Sequence, residues 1–245
     1  MIKEGDGHGG EGFHFEPSEY NSVLIWLHGK GDNAESYKSF IYFAKRFNEL
    51  NKTKIILPTS EKIFLKKFGI FENAWFDMEN FSIGSMEDID GINKSVSRLT
   101  NIISSEIEKG VDSTKISLGG FSQGSAIAFL ISLASSKFTL GSCVVVGGWL
   151  PLVEKGFMAG KDSEISSENL SFEIRDQVRE NVDFLVLHGE ADPVVLYQWS
   201  IMCRDYIQAN FNLKNFSYKS YPGVDHTINY IMLLDIFNFI SKKMS

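Results

Sequence analysis

The chain has 245 residues, 43 % hydrophobic and 22 % charged, with a net charge of −7. These proportions exclude a disordered or collagen-like chain, and the length suits one α/β domain with a large core. The acidic balance, without a long Lys/Arg run, argues against nucleic acid as a partner, and no apolar run approaches the ~18 residues of a membrane span.

Residues 1–20 read as a flexible segment. Met1-Ile2-Lys3-Glu4-Gly5 carries no apolar signal region. The Gly-rich stretch 5–12 has no strand before it and no helix after it, so the dinucleotide-loop reading fails. Ser22–Leu27 is an apolar run ending in a Gly-rich turn, which predicts a buried strand. Tyr37, Phe40, Ile41, Ala44 and Phe47 follow at helical spacing over 35–50. Lys54–Leu57 is the next strand, stopped by Pro58. The clearest helix spans 86–109, where Ile89, Ile92, Val96, Leu99 and Ile103 form one stripe and Gly110 ends it. Strand Lys115–Leu118, an apolar helix over about 124–135, and strands Cys143–Val146 and Phe184–Leu187 come next. A helix at 197–210, strand Phe216–Tyr221 and a helix over 229–243 complete the chain. Six strands separated by helices predict an α/β fold: a mostly parallel sheet covered on both faces. Residues 154–181 break the rhythm, being long and charge-rich, and read as a polar surface insertion with a short helix at 171–180. Cys143 and Cys203 stand apart, with no Cys-x-x-Cys pair, so no metal or redox motif is read and a reduced, cytoplasmic setting is expected.

Gly120-Phe121-Ser122-Gln123-Gly124 matches Gly-x-Ser-x-Gly. Alone the pattern is weak. Here the Ser falls between a strand and an apolar helix, the setting of a nucleophile elbow. A Cβ at Gly120 or Gly124 would strike the neighbouring backbone, and the helix N-terminus offers a positive dipole end to a developing oxyanion. A nucleophilic Ser needs a base. In such elbows an acid and then a His follow the Ser in chain order, and only His188 and His226 do so. His188 ends a strand and reads as structural. His226 sits in a loop after the next strand and is the candidate base. Asp225, Glu190 and Asp192 are the candidate acids. Asp225 is too close in sequence to reach round the ring, and Asp192, followed by Pro193, is favoured over Glu190. The oxyanion hole needs two N–H groups: Gln123, after the nucleophile, and one from His28-Gly29-Lys30-Gly31-Asp32, where Lys30 is the candidate.

Four blocks then resemble the acyl-protein thioesterase and lysophospholipase-like carboxylesterases of the α/β-hydrolase superfamily. They are Leu27-His28-Gly29-Lys30-Gly31-Asp32, Gly119-Gly120-Phe121-Ser122-Gln123-Gly124, His188-Gly189-Glu190-Ala191-Asp192 with Val195, and Gly223 with His226. Trp75-Phe76-Asp77, Glu87-Asp88 to Gly91-Ile92 and Trp149-Leu150-Pro151 are softer matches. The resemblance spans roughly residues 20–243 and implies one α/β-hydrolase domain over 21–245. It implies a Ser122, Asp192, His226 triad and an oxyanion hole from Lys30 and Gln123. No metal or cofactor is required. The implied substrates are thioesters of S-acylated proteins, or oxygen esters of lysophospholipids and small acyl esters. The chain departs from the family at Lys30, where Leu is usual, at Ser125, where a second Gly is usual, at Ile2, and in the length of 154–181.

Phe64, Phe68, Phe71, Trp75, Phe76 and Trp149 cluster on the side of the chemistry and are the candidate acyl-binding residues. The stretch Lys62–Phe71 mixes apolar and basic residues. It reads either as a cap over an acyl channel that touches a membrane surface transiently, or as a hairpin packed on the core. A depalmitoylating serine hydrolase is the leading expectation. A lysophospholipase or small-ester carboxylesterase is the alternative, and a non-catalytic lipid-binding module the remote one.

Overall fold

A computed structural model of the protein describes residues 2–78, 88–134, 138–152, 182–211 and 213–244. The short strands β1 (Ile2–Glu4) and β2 (Gly12–Phe15) come first, then β3 (Ser22–Leu27), helix α1 (Lys38–Ala44) and β4 (Thr53–Pro58). A hairpin, β5 (Lys62–Leu65) and β6 (Ile70–Asn73), precedes the long helix α2 (Ile89–Glu108). Strand β7 (Ile116–Phe121), helix α3 (Gln123–Ala134) and strand β8 (Ser142–Val146) follow. Strand β9 (Asp183–Gly189), helix α4 (Tyr197–Asn210), strand β10 (Phe216–Tyr221) and helix α5 (Tyr230–Met244) end the chain.

The main sheet has the order β1-β2-β4-β3-β7-β8-β9-β10. Strands β4, β3, β7, β8, β9 and β10 run parallel, while β1 and β2 add an antiparallel edge. Alternate residues serve opposite faces, as a pleated strand requires. Val23, Ile25 and Leu27 join the core under α2 and α3, while Leu24 and Trp26 join the one under α1 and α5. Helix α2 shows its stripe as expected: Ile92, Val96, Leu99 and Ile103 are buried, and the Asp88 side chain caps it by accepting from the Gly91 N–H. Every residue of α3 is buried, so its sequence is apolar almost all round.

Three expectations change. The flexible N-terminal segment does not describe residues 2–15, which form β1 and β2. The connecting loop is ordered by its own polar groups: buried Asp6 accepts from the His8 and Gly10 N–H groups and pairs with Arg98 of α2. The helix expected over 35–50 is helical only at 38–44, between 3-10 turns at Ala34–Tyr37 and Asn48–Leu50. Phe47 leaves the helix with φ −107 and ψ 114, which lets its ring stack on Phe237 of α5. Residues 62–73 are a hairpin, one of the two readings of that stretch, but it forms its own two-stranded sheet with Phe64, Phe68 and Phe71 exposed instead of packed on the core. The insertion expected at 154–181 lies outside the described residues.

Candidate active site

In chain order β3 leads to β4 on one side, and the chain then crosses to β7 on β3's other side. The strand order therefore reverses between β3 and β7, and crevices at such switch points are where open α/β sheets bind ligands. The loops after β3 and β7 carry His28–Asp32 and Ser122.

Ser122 stands between β7 and α3 with φ 52, a left-handed conformation rare for a residue with a Cβ. Its surroundings hold it there. The Ser122 N–H donates to Val146 O at 2.8 Å, and Ser125 Oγ donates to Ser122 O at 2.8 Å. A Cβ on Gly124 would stand 2.4 Å from His28 O, and one on Gly120 2.7 Å from Leu27 O. Both glycines thus permit β7, the turn and α3 to press against the loop after β3. Ser125, where a Gly is usual, is accommodated and adds a bond.

His226 Nε2 lies 2.9 Å from Ser122 Oγ, and His226 Nδ1 lies 2.6 Å from Asp192 Oδ2. The ring rests against Phe121, with centroids 4.6 Å apart. Asp192 Oδ1 accepts the N–H groups of Val194 and Val195, each at 2.9 Å. Burial pushes the Asp192 carboxyl up, but His226 and these N–H groups outweigh it and hold it below the usual carboxylate range. Glu190 points elsewhere and accepts from Ser220 Oγ at 2.7 Å. The structure thus brings Ser122, His226 and Asp192 into one hydrogen-bonded chain from loops after β7, β10 and β9. His188, at the end of β9, is fully buried, and burial pushes its pKa down.

Gln123 begins α3 and is fully buried; its Oε1 accepts from the Trp75 N–H and its Nε2 donates to Phe76 O. Lys30 follows Gly29, where a Cβ would stand 3.4 Å from the Ser122 Cβ. The loop is held by His28, a residue whose role sequence reasoning did not reach. Its Nε2 accepts from the Ser60 N–H at 2.9 Å, its Nδ1 meets Gly29 O at 2.7 Å, and its carbonyl accepts from Trp75 Nε1 at 2.8 Å. The Lys30 side chain reaches out of the loop to the hairpin, where its Nζ lies 3.6 Å from Glu72 and 4.7 Å from the Phe68 ring centre. The Gly31 N–H donates to Asn73 O at 2.7 Å, so the hairpin's base is bonded to the same loop.

The six aromatic candidates fall into two groups. Phe64, Phe68 and Phe71 lie on the hairpin and are 46–70 % exposed, with Phe64 and Phe71 paired across the strands. Trp75 and Phe76 are core residues, 2 % and 0 % exposed, and Trp149 packs against that core edge-on to Phe76. Trp75 contacts the loop after β3 through the bond to His28, a buttress that its position beside the hairpin did not reveal. A cleft between the N-terminal loop, the hairpin and α2 is lined by Phe64 and Trp75 but not by Ser122 or His226.

Among the described residues no helix is long and apolar enough to cross a membrane. Known proteins resemble this chain in sequence and in fold. An acyl-protein thioesterase 1 of Yarrowia lipolytica is 28 % identical over 230 residues, covering 92 % of this chain and 93 % of that protein. The crystal structure of Zea mays acyl-protein thioesterase 2 superposes with a TM-score of 0.77 at 25 % identity, covering 96 % of this chain and all of that one. Arabidopsis thaliana SOBER1 superposes at 0.75 with 25 % identity, over 91 % and 99 % of the two chains. The fold is that of the α/β hydrolases, and residues 16–244 match the phospholipase/carboxylesterase family. The chain belongs to that family of serine hydrolases.

Proposed function

We propose that the protein hydrolyses fatty-acyl thioesters of S-acylated proteins through an acyl-enzyme on Ser122. The observation that carries this reading is the unbroken chain from Ser122 Oγ through His226 to Asp192. His226 Nε2 takes the Ser122 proton as Oγ attacks the acyl carbon. Asp192 holds the ring and stabilises the imidazolium. The N–H groups of Gln123 and Lys30 receive the oxyanion, and each such donor contributes about 3–4 kcal/mol to the barrier reduction. The cysteine thiol leaves with the proton from His226. Water, activated by the same ring, then attacks the acyl carbon and releases the fatty acid and Ser122.

The thioester choice is supported by acyl-protein thioesterase relatives that match over nine-tenths of this chain. The family's own description favours a second reading, an oxygen esterase acting on lysophospholipids or small esters. Both substrates are amphiphiles. The hairpin presents exposed Phe64, Phe68, Ile70 and Phe71 beside exposed Lys62, Lys66 and Lys67. We read it as the part of this cytoplasmic enzyme that touches anionic membrane surfaces.

The ratio of kcat/KM on a palmitoyl-cysteine peptide to that on a palmitoyl lysophospholipid tests the substrate. A ratio well above one is expected, and a ratio below one makes the protein a lysophospholipase. For the hairpin, Phe64→Asp with Phe68→Asp is expected to weaken sedimentation with anionic liposomes. Unchanged liposome binding and long-chain kinetics contradict that role.

A further inference from the structure

His188 is set beside the His226–Asp192 pair. It ends β9 fully buried, and its Nε2 lies 2.8 Å from the Val195 carbonyl oxygen. A carbonyl only accepts, so the Nε2 carries the proton. The same Nε2 lies 3.5 Å from Asp192 Oδ2, the oxygen that holds His226. Asp192 meanwhile accepts the Val195 N–H at 2.9 Å. Val195, itself fully buried, is therefore gripped at both ends, its N–H by Asp192 and its carbonyl by His188.

The other ring nitrogen fixes the charge. His188 Nδ1 is buried and has no hydrogen-bond partner among the described residues. A proton there would place a charged N–H in the interior with nothing to accept it. Burial, with a smaller push from His226, outweighs the Val195 carbonyl and Asp192 and drives the ring toward the neutral form. The titratable groups around it are Asp192 and His226 from the two loops and Tyr197 of α4, whose ring centre lies 6.2 Å away. Glu190, on the adjoining loop, is engaged by Ser220.

We propose that His188 is a positioning residue: a permanently neutral imidazole whose Nε2–H holds the Val195 loop and whose N–H dipole lies 3.5 Å from the Asp192 Oδ2 that His226 uses. It rests on the triad reading above. Two consequences follow from the geometry. Loss of the grip on Val195 lets Asp192 and the His226 ring drift from their alignment with Ser122. Loss of the Nε2–H dipole 3.5 Å from Oδ2 leaves the Asp192 charge more fully on His226. The imidazolium is then favoured to higher pH, and the ring is free to accept the Ser122 proton only above it.

The test compares wild type with His188→Leu, which removes the donor, and His188→Gln, which keeps an N–H near the Nε2 position and cannot ionise. The readouts are kcat/KM for a short-chain p-nitrophenyl ester from pH 5 to 9 and the rate of fluorophosphonate labelling. His188→Leu is expected to lower plateau kcat/KM by up to about 100-fold. It is also expected to move the low-pH limb upward by about 0.3–0.5 unit. His188→Gln is expected to restore the limb and most of the rate. A folded His188→Leu with the wild-type limb, or equal impairment of both variants with the limb unmoved, overturns the proposal. Wild-type protein needs no variant to test the tautomer. Nitrogen-15 spectra of the histidines are expected to show His188 as the Nε2–H form throughout this pH range. An Nδ1–H form, or protonation within the range, also overturns it. If wild type itself takes no fluorophosphonate, the triad reading has failed instead; labelled wild type with indistinguishable variants sinks this proposal alone.

Discussion

At the scale of single residues, the interaction of His226 with its acid decides the chemistry. Asp192 Oδ2 stands 2.6 Å from the ring, and Glu190 is spent on Ser220. Asp192→Asn is therefore expected to lower kcat by about 10⁴-fold, because the amide favours the wrong tautomer of His226. Glu190→Gln is expected to leave kcat near wild type, and steady-state ester hydrolysis by the two variants checks both. Ser122 and His226 were legible because Gly-x-Ser-x-Gly lies between strand and helix and because few histidines follow it. The choice among Asp225, Glu190 and Asp192 rested on weaker grounds. Asp225 is set aside by its nearness to His226, but Glu190 and Asp192 lie on one loop, and three-dimensional geometry is what separates them decisively. The side chains that hold the loop after β3 were less legible still. His28 bonds to Ser60 and Trp75, partners 32 and 47 residues away in sequence.

Among the elements, close backbone approach around the elbow leaves no room for change. A Cβ on Gly124 would meet His28 O at 2.4 Å. Gly124→Ala is expected to destabilise the fold by about 1–3 kcal/mol, or more if the loop after β3 cannot shift. Chemical denaturation measures this, and wild-type stability for the variant contradicts the packing described. The hairpin is held differently. Its base is bonded through Asn73 to Gly31, and further out it meets Lys30 through Glu72 and Phe68. Glu72→Gln weakens a half-buried ion pair, so faster hydrogen exchange is expected over residues 62–73 with little change at β7. Equal exchange in wild type and variant shows that the pair does not hold the hairpin. The inner strands of the parallel sheet were readable as short apolar runs because both faces are covered, whereas edge strand β10 alternates half-buried and exposed residues. The hairpin was readable only as one of two alternatives, since its exposed rings and lysines follow no burial pattern.

Across the whole molecule, the N-terminal edge is fastened by charge. Glu106 of α2 is fully buried and receives Lys54, Lys109 and Tyr20, each at 2.9 Å, and His8 Nε2 lies 2.8 Å from it. Burial pushes its carboxyl up, but these partners outweigh burial and hold it well below the usual range. Asp6 is also held low, with His8, Arg98 and Gly10 outweighing burial. Both carboxylates regain ordinary pKa values when the chain unfolds. The unfolded state then binds the extra protons, so the stability they contribute is present above about pH 5 and is lost as pH falls. Thermal unfolding followed by circular dichroism should show the midpoint falling from about pH 5 toward pH 3. Glu106→Gln should flatten that fall while lowering stability at pH 7 by about 3 kcal/mol, since buried Lys54 loses a partner. An acid dependence unchanged by Glu106→Gln would place the sensitivity elsewhere. This network also explains why residues 5–12 read as a tail. Their order comes from Arg98 and Glu106, some ninety residues on in the chain, and no local pattern announces it. The sheet then gathers loops from β3, β7, β9 and β10 at one end, and the account of function rests on what they assemble there. The most direct test is covalent labelling by a fluorophosphonate, with the adduct located by mass spectrometry. Wild type should carry one adduct, on Ser122, and Ser122→Ala none; an unlabelled wild type, or equal labelling of Ser122→Ala, would contradict the account.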